Sequence, residues 1–271
     1  MSMYDNNEFF KTYFANASEK SILIDLISTR FSPSSSELNI LDLGCHDGKL
    51  IKRIIDAYAS KMPAKVSITG VEPSADALLE YSKNQFSISV QTNTFVGTAE
   101  SYFLKNPRNE YFNWVIASQC LYWSLDLPYI VKKIADAGES GLIVLRGRLG
   151  IYEIQSRFKD YIGNHNEQFY TADDIESALH DLNIPFEKEV KTTSILLPSQ
   201  GSIEMKWLIA FFLQWDKKNI NSDILQEVES WILEKNAEKM THEVCFFWLG
   251  KAILNGSKHV KEIEKQICKD S

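Results

Sequence analysis

Short apolar runs alternate with segments of helical periodicity through residues 38–145, and this alternation constrains the fold more than any other feature. The runs that have the pattern of strands cover residues 38–43, 66–71, 94–97, 112–117 and 141–145. The helical segments between them cover residues 49–59, 74–83 and 127–137. Strands and helices that alternate at this spacing predict a parallel sheet with helices on both of its faces.

The two ends of the chain follow other patterns. Residues 7–30 place apolar side chains at helical spacing, and the sequence around Ser18 predicts a break between two helices, with Ser18 as a candidate N-cap. After Gly150 the pattern predicts a helix that follows Thr171 as its N-cap. The remaining predicted elements are a strand at 186–197, helices at 203–215 and 224–235, and a last strand at 244–254.

The composition is typical of a folded protein, and the net charge disfavours nucleic-acid binding. Hydrophobic residues make up 44% and charged residues 24% of the 271 positions, which excludes bulk disorder. The net charge of -7 disfavours binding to a nucleic-acid backbone. No apolar run approaches the roughly 18–20 residues of a membrane span, and the first ten residues lack the pattern of a secretory signal. We therefore predict a cytoplasmic protein that binds neither nucleic acid nor membrane. A monomer is favoured, but the sequence leaves the oligomeric state open.

Cysteine and histidine spacing predicts neither a disulfide framework nor a metal site. The four cysteines are scattered, without a CxxC pair or zinc spacing: Cys45, Cys120, Cys245 and Cys268. The histidines form no ligand set either: His46, His165, His180, His242 and His259. We expect reduced thiols and no metal.

A glycine-bearing turn follows the first predicted strand. The residues from Asp42 to Gly48 have the form D-x-G-x-x-x-G, which brings a ligand close to the backbone between a strand and a helix. The central glycine of a dinucleotide fingerprint is absent, and the residues do not match the G-x-x-x-x-G-K-[ST] pattern of a P-loop. Glu72 ends the second strand, where an acid can accept hydrogen bonds from both hydroxyls of a ribose. The alternative is that Glu72 only caps the helix that begins near Ser74.

This turn resembles the first motif of the class I S-adenosylmethionine-dependent methyltransferases, with His46 where a middle glycine is usual. A further Thr98-Ala99-Glu100 segment stands where this fold contacts adenine. The resemblance implies S-adenosyl-L-methionine as cofactor and S-adenosyl-L-homocysteine as product. It also implies a set of cofactor-binding residues: Asp42, Gly44, His46, Gly48, Glu72, Pro73, Ala99, Glu100 and Gln119.

Four segments narrow the resemblance to the histamine N-methyltransferase family: residues 71–75, 116–123, 126–128 and 170–174. The resemblance implies an α/β fold, a seven-stranded, mostly parallel Rossmann-like methyltransferase sheet with a smaller substrate-covering region. It divides the chain into an N-terminal helical cover of the substrate site (1–36) and a cofactor-binding core (37–150). The rest of the sheet with helical insertions (151–254) and a C-terminal tail (255–271) complete it.

In that family a glutamate near the N-terminus and a glutamine after the fourth strand hold the acceptor amine, and Glu19 and Gln119 match them as catalytic residues. The family's asparagine in the last strand has no match, because residues 244–248 are apolar and aromatic there. Histamine is therefore not the expected acceptor. The predicted substrate-binding residues add aromatic side chains to these two, since aromatic faces attract cations and flat rings: Phe10, Glu19, Gln119, Tyr122, Trp123, Phe247 and Trp248. Most aromatic side chains in any protein serve the core instead.

The predicted function is methylation of a small molecule, by transfer from S-adenosylmethionine to the nitrogen of an amine or heterocycle. Alternatives are an O- or C-methyltransferase of a natural-product scaffold, a protein methyltransferase, and a non-catalytic binding module. A nitrogen acceptor gains positive charge as it attacks, so Glu19 or Gln119 would stabilise the transition state. A hydroxyl or carbon acceptor would need a general base, for which His46, His165 and Glu19 are the candidates.

Overall fold

The structure is a computed structural model that describes residues 7–30, 36–106, 110–163, 169–218 and 220–252. Seven strands form one sheet in the order β3-β2-β1-β4-β5-β7-β6. Their bounds are β1 Glu37–Leu43, β2 Lys65–Glu72, β3 Val90–Val96, β4 Phe112–Ser118, β5 Gly138–Arg146, β6 Phe186–Leu196 and β7 Lys239–Gly250. Only β7 runs antiparallel to its neighbours, β5 and β6. The predicted seven-stranded, mostly parallel α/β sheet is confirmed.

Helices cover both faces of the sheet and one of its ends. Those of the first half are α1 Asn7–Asn16, α2 Glu19–Arg30, α3 Lys49–Ala57, α4 Ala75–Tyr81, α5 Ala99–Lys105 and α6 Leu127–Ala137. Those of the second half are α7 Ile151–Arg157, α8 Ala172–Asp181, α9 Ile203–Phe212 and α10 Ser222–Lys235. Short 3-10 turns lie at Ala59–Lys61, Leu121–Trp123 and Lys159–Tyr161. Among the described helices, none combines the length and the apolar character that a membrane span requires.

Three apolar clusters hold these elements together. One fills the space between the sheet and α6 and α8, and a second lies on the opposite sheet face under α2, α3 and α4. The third joins α1, α7, α9 and α10 and includes Met240 from the start of β7. This third cluster is a helical layer that stands over the carboxyl ends of the parallel strands.

The start of β3 and the side-chain contact of Ser18 each have a physical reason that the sequence pattern does not show. Strand β3 begins four residues earlier than predicted, because its exposed edge carries polar residues that give no apolar signal. The break between α1 and α2 lies where predicted, but the Ser18 hydroxyl accepts a hydrogen bond from the Ser194 N–H of β6 (2.9 Å). Ser18 directly precedes α2, where its carbonyl accepts from the Ser21 N–H (3.2 Å), and its side chain fastens the start of α2 to the sheet. The predicted tail at 255–271 lies outside the described residues.

The direction of β7 corrects the prediction for Phe247 and Trp248. An antiparallel strand enters the sheet at the edge where the parallel strands end, so only its first residues lie at that edge. Phe247 pairs with Ile143 and Trp248 with Leu142, in the middle of the sheet. Both aromatic side chains are fully buried in the core. Phe247 belongs to the apolar cluster on one face of the sheet and Trp248 to the cluster on the other.

A buried ion pair fixes the position of α2. The Arg30 guanidinium, 5% exposed, bonds to Glu187 (2.6 Å) and Glu189 of β6. Its central carbon also lies 4.7 Å from the ring centroid of Trp248. A guanidinium that bonds to two carboxylates and lies over an aromatic ring is held in one position. The last turn of α2, which ends at Arg30, is therefore held against β6.

Candidate active site

A cavity of about 300 Å³ opens at the carboxyl edge of the parallel strands, beneath the helical layer. Its volume is in the range of small-molecule sites, and the edge is where ligands bind in open α/β sheets. Two parts of the chain line it. The cofactor end, as we call it, comprises Asp42, Gly44, Cys45, His46, Asp47, Glu72, Pro73, Gly97, Thr98, Ala99 and Glu100. The acceptor end comprises Phe10, Tyr13, Lys20, Gln119, Tyr122, Arg146, Ile151, Phe211, Gln214 and His242.

The turn at residues 44–48 needs its glycines. Gly44 has φ +65° and Gly48 has φ +71°, in the left-handed region that favours glycine. A Cβ on Gly44 would lie 2.2 Å from the Cβ of Cys120, so the turn packs directly against the end of β4. Gly44 lines the cavity, while Gly48 precedes the first residue of α3. At the end of β1, a ligand can therefore contact backbone atoms that no side chain covers.

His46 occupies the middle of this turn in spite of its side chain. Its φ of +47° is left-handed and unusual for a residue with a Cβ. The imidazole packs on Phe10 of α1, with 4.1 Å between ring centroids. The side chain therefore joins the cofactor turn to the helical layer, which accounts for a residue other than glycine at this place.

Two buried acids stand at the ends of β1 and β2. Glu72, 4% exposed, accepts hydrogen bonds from the backbone N–H groups of His46 (3.1 Å) and Ser74 (3.0 Å). Asp42 is 5% exposed, and burial together with the nearby Glu72 charge raises the pKa of Asp42 to about 7. A ligand that offers hydroxyl donors or positive charge would satisfy both carboxyls, so their chemistry fits a ribose and a sulfonium.

The far side of the cofactor end is built from the turn before α5. The Thr98 hydroxyl caps α5 by accepting from the Ser101 N–H (3.2 Å). The Glu100 carboxylate accepts from the Ser124 hydroxyl (2.8 Å) and the Leu125 N–H (3.1 Å). Together with Pro73 and Ala99, these residues form the wall predicted for the adenine.

Gln119 stands where the two ends of the cavity meet. Its backbone is left-handed (φ +57°), and its N–H donates to the Val144 carbonyl of β5 (2.8 Å). The side-chain amide donates to the Glu19 carboxylate (3.0 Å). The amide oxygen finds no hydrogen-bond partner within the described chain, although it is buried. A buried acceptor of this kind is available to a ligand.

Glu19 lies behind the cavity wall rather than on it. The side chain is 2% exposed, and its carboxylate lies 2.9 Å from the Lys20 ammonium and 3.6 Å from His242 Nε2. Burial alone would raise the pKa of Glu19, but the Lys20 charge and the nearby His242 hold it well below the ordinary value. Glu19 is an ionised anchor for three wall residues: Lys20, Gln119 and His242.

Aromatic side chains form the rest of the acceptor end. Tyr13 and Phe211 stack with 4.4 Å between centroids and 15° between planes. Tyr122 stacks on Phe169, and the Arg146 guanidinium carbon lies 4.0 Å from both ring centroids. These flat walls suit a flat ligand. The Trp123 side chain and His165, both singled out from the sequence, fall outside the described part of the chain.

Sequence analysis missed several residues of the acceptor end because no local pattern marks them. Gln214 follows α9 with φ +57° and is 6% exposed, and its amide oxygen is buried without a partner in the described ranges. His242 is fully buried at the start of β7. The one available signal was the polar start of the last strand, which an antiparallel strand would bring to the site. Among the residues described, no three potential ligands gather to hold a metal ion.

Comparisons with known proteins agree with this geometry. A family profile described as "Methyltransferase domain" matches residues 15–185, more than half of the chain. No curated protein sequence matches significantly.

Solved structures share the fold at low identity. The YcgJ protein of Bacillus subtilis has a TM-score of 0.56 and 11% identity, over 85% of this chain and 97% of that one. A cyclopropane-fatty-acyl-phospholipid synthase-like protein of Lactobacillus casei has a TM-score of 0.54 and 11% identity, over 86% and 89%. The plantazolicin methyltransferase BpumL, in complex with a triazolic desmethylPZN analog and S-adenosylhomocysteine, has a TM-score of 0.48 and 14% identity, over 91% of this chain and 88% of that one.

The family profile, the sheet order and the glycine turn at the end of β1 lead to one conclusion. The chain belongs to the class I S-adenosylmethionine-dependent methyltransferases, enzymes that use S-adenosylmethionine and release S-adenosylhomocysteine.

Proposed function

We propose that this methyltransferase transfers a methyl group to the nitrogen of a small aromatic amine or heterocycle. The observation that carries the proposal is the acceptor end itself, where stacked aromatic rings enclose buried amide oxygens on Gln119 and Gln214. Flat walls select a planar molecule. The amide oxygens would accept hydrogen bonds from an N–H group and would favour the positive charge that develops on nitrogen.

The cofactor end would hold S-adenosylmethionine through residues at the ends of three strands, β1, β2 and β3. We infer that Asp42 and Glu72 bind the ribose hydroxyls and that the turn at residues 44–48 contacts the amino-acid part. Ala99 and Glu100, with Pro73, would flank the adenine. When bound, the cofactor supplies an electrophilic methyl group. The protein's own contribution is then to place the acceptor nitrogen in line at about 3–3.5 Å from that methyl group.

The sequence motifs that resemble histamine N-methyltransferases favour an amine as acceptor. The roles that we propose for Glu19 and Gln119 differ from those that the resemblance implies. Gln119 would contact the acceptor, while Glu19 would hold Gln119 from behind, because Glu19 stands outside the cavity wall. Histamine is not the expected acceptor, since the family's asparagine in the last strand has no counterpart. We infer that α1 and α2 form the cover predicted for residues 1–36, because Phe10, Tyr13 and Lys20 line the acceptor end.

The experiment is a screen with methyl-labelled S-adenosylmethionine and a panel of matched acceptors. The panel pairs anilines and azoles with phenols of the same ring size, and includes histamine and short peptides. We expect labelled product from the nitrogen compounds and little from histamine. Turnover confined to phenols would replace the proposal with O-methylation. Turnover confined to peptides would make the chain a protein methyltransferase. Binding of S-adenosylhomocysteine without turnover of any compound would favour a binding module.

A further inference from the structure

We propose that Lys20 binds the carboxylate of S-adenosylmethionine, so that α2 recognises the methyl donor. The inference rests on the proposed placement of the cofactor and not on the class of the acceptor. Lys20 is the second residue of α2 and is 7% exposed, yet it lines the cavity. Its ammonium lies 2.9 Å from the Glu19 carboxylate, which also accepts from the Gln119 amide (3.0 Å). Lys20 therefore belongs to the cluster that stands where the two ends of the cavity meet.

The ammonium group of Lys20 is held in place and keeps donors for a further partner. An ammonium carries three N–H donors, and among the described residues Glu19 is the one partner that it contacts. Glu19 is 2% exposed, and a buried carboxylate is strongly destabilising without its counter-charge. Lys20 is thus kept at this place, and the donors that Glu19 does not use are available to a ligand in the cavity.

The charges along the cavity explain why the carboxylate of the donor would need this cation. Acidic side chains line the cofactor end: Asp42, Asp47, Glu72 and Glu100. Their charges would repel a carboxylate unless a cation stood beside it. Burial and the Glu72 charge raise the pKa of Asp42, and the Lys20 charge opposes them. The Lys20 ammonium is therefore within electrostatic reach of the end of β1, where the glycine turn begins.

Arg146 is the other lysine or arginine among the described residues of the cavity wall, and it stands farther from this turn. It ends β5, which lies two strand positions from β1, a distance of about 10 Å in a sheet. Its guanidinium carbon lies 4.0 Å from the ring centroids of Tyr122 and Phe169. The geometry therefore favours Lys20 over Arg146 as the partner of the donor's carboxylate.

The shape of the methyl donor agrees with this placement. Its sulfur carries three groups: the methyl group, the adenosine and the amino-acid chain. With the methyl group directed to the acceptor end and the adenosine near Glu72 and Ala99, the amino-acid chain must leave on the third side. The turn at residues 44–48 and the first turn of α2 form that side. A chain of contacts would then run from the carboxylate through Lys20 and Glu19 to the acceptor end.

The test compares S-adenosylhomocysteine with its decarboxylated analogue, which keeps the amino group. In calorimetry, wild type should bind S-adenosylhomocysteine about 10- to 100-fold more tightly, the effect of one charge-assisted hydrogen bond. Lys20→Met should raise the Kd of S-adenosylhomocysteine by this factor and change that of the analogue by less than about 3-fold. The matched control is Lys11→Met, an exposed lysine on α1, which should keep both affinities.

Two further variants separate the role of Lys20 from effects on folding and on the cofactor. The double variant Glu19→Gln, Lys20→Met removes both buried charges and should also lose the preference for the carboxylate. Glu72→Gln should weaken both ligands alike, because both carry the ribose; unchanged affinities there would refute the ribose placement alone.

Equal affinities of the two ligands for wild type would overturn the role of Lys20, and this comparison requires no variant. Equal losses of both ligands on Lys20→Met, or an unchanged Kd for S-adenosylhomocysteine, would overturn it as well. Because no acceptor enters these measurements, a wild-type protein that methylates none of the amines would refute the proposed acceptor class and leave the Lys20 assignment standing.

Discussion

The two ends of the cavity are built in different ways. The cofactor end comes from consecutive strand–turn–helix units, so that Asp42 and Glu72 lie at the ends of their strands and Glu100 lies in the first turn of a helix. The acceptor end is assembled from α1, α2, α7, α9, the segments at the ends of β4 and β5, and the start of β7, so that its residues range from Phe10 to His242. The first end has a local sequence pattern and the second does not. This comparison indicates that the reaction type is encoded locally, whereas the acceptor is selected by packing of distant segments.

The largest effect is expected on ligand affinity, from a change in the glycine turn at residues 44–48 of the cofactor end. We expect Gly44→Ala to weaken S-adenosylhomocysteine binding by more than about 100-fold, or about 3 kcal/mol, because its Cβ would meet Cys120 at 2.2 Å. The matched control is Gly201→Ala, which has φ +72° but open space around it. That variant should lose only about 1–2 kcal/mol of stability and bind normally. Calorimetry gives both affinities, and an unchanged value for Gly44→Ala would refute close approach at the turn.

The second prediction concerns stability and pH at the same end. Because the folded-state pKa of Asp42 is raised from about 3.8 to about 7, the unfolded chain loses this proton first as pH rises. Asp42 therefore lowers the free energy of unfolding between about pH 4 and pH 7, and the cost is largest above pH 7. Asp42→Asn should add on the order of 2–4 kcal/mol at pH 8 and nothing near pH 4.

Urea unfolding at both pH values measures this difference. The control is Asp181→Asn, an exposed carboxyl at the end of α8, for which we expect no pH-dependent gain. If Asp42→Asn raised the free energy of unfolding as much at pH 4 as at pH 8, the charge of Asp42 beside Glu72 would not be what lowers the stability.

A third, smaller effect would separate cofactor binding from acceptor binding. Glu72→Gln should weaken S-adenosylhomocysteine by roughly 1–3 kcal/mol, since it removes charge-assisted hydrogen bonds to the ligand and to the His46 and Ser74 N–H groups. Glu80→Gln, an exposed acid on α4, is the control. Equal affinities in calorimetry would leave Glu72 as a helix-capping residue alone.

The smallest effect is expected at the acceptor end. Gln119→Ala should lower kcat on the best nitrogen acceptor of the panel by about tenfold, about 1.4 kcal/mol, with the Kd for S-adenosylhomocysteine unchanged within about twofold. Gln226→Ala, exposed on α10, should behave as wild type. A variant that loses cofactor affinity and keeps kcat would reverse the assignment and place Gln119 at the cofactor end.

Much of this protein follows from its sequence alone, because the relevant signals are local. The alternation of apolar runs and helical segments predicted the sheet, and the turn from Asp42 to Gly48 predicted the methyltransferase family. A strand that ends in a glycine turn specifies its own geometry, since left-handed backbone and a missing Cβ are properties of single residues.

The acceptor end was decided only by tertiary structure. The sequence predicted Phe247 and Trp248 at the site, but the antiparallel direction of β7 buries both in the core and brings His242 to the edge instead. Glu19 was predicted to touch the acceptor, yet the packing of α2 on β6 places it behind Gln119. Strand direction and helix placement depend on contacts among distant residues. A shift of a strand by one residue would turn each of its side chains to the opposite face of the sheet. Such information is absent from any local pattern, which is why the chemistry of the acceptor end became visible only in the folded chain.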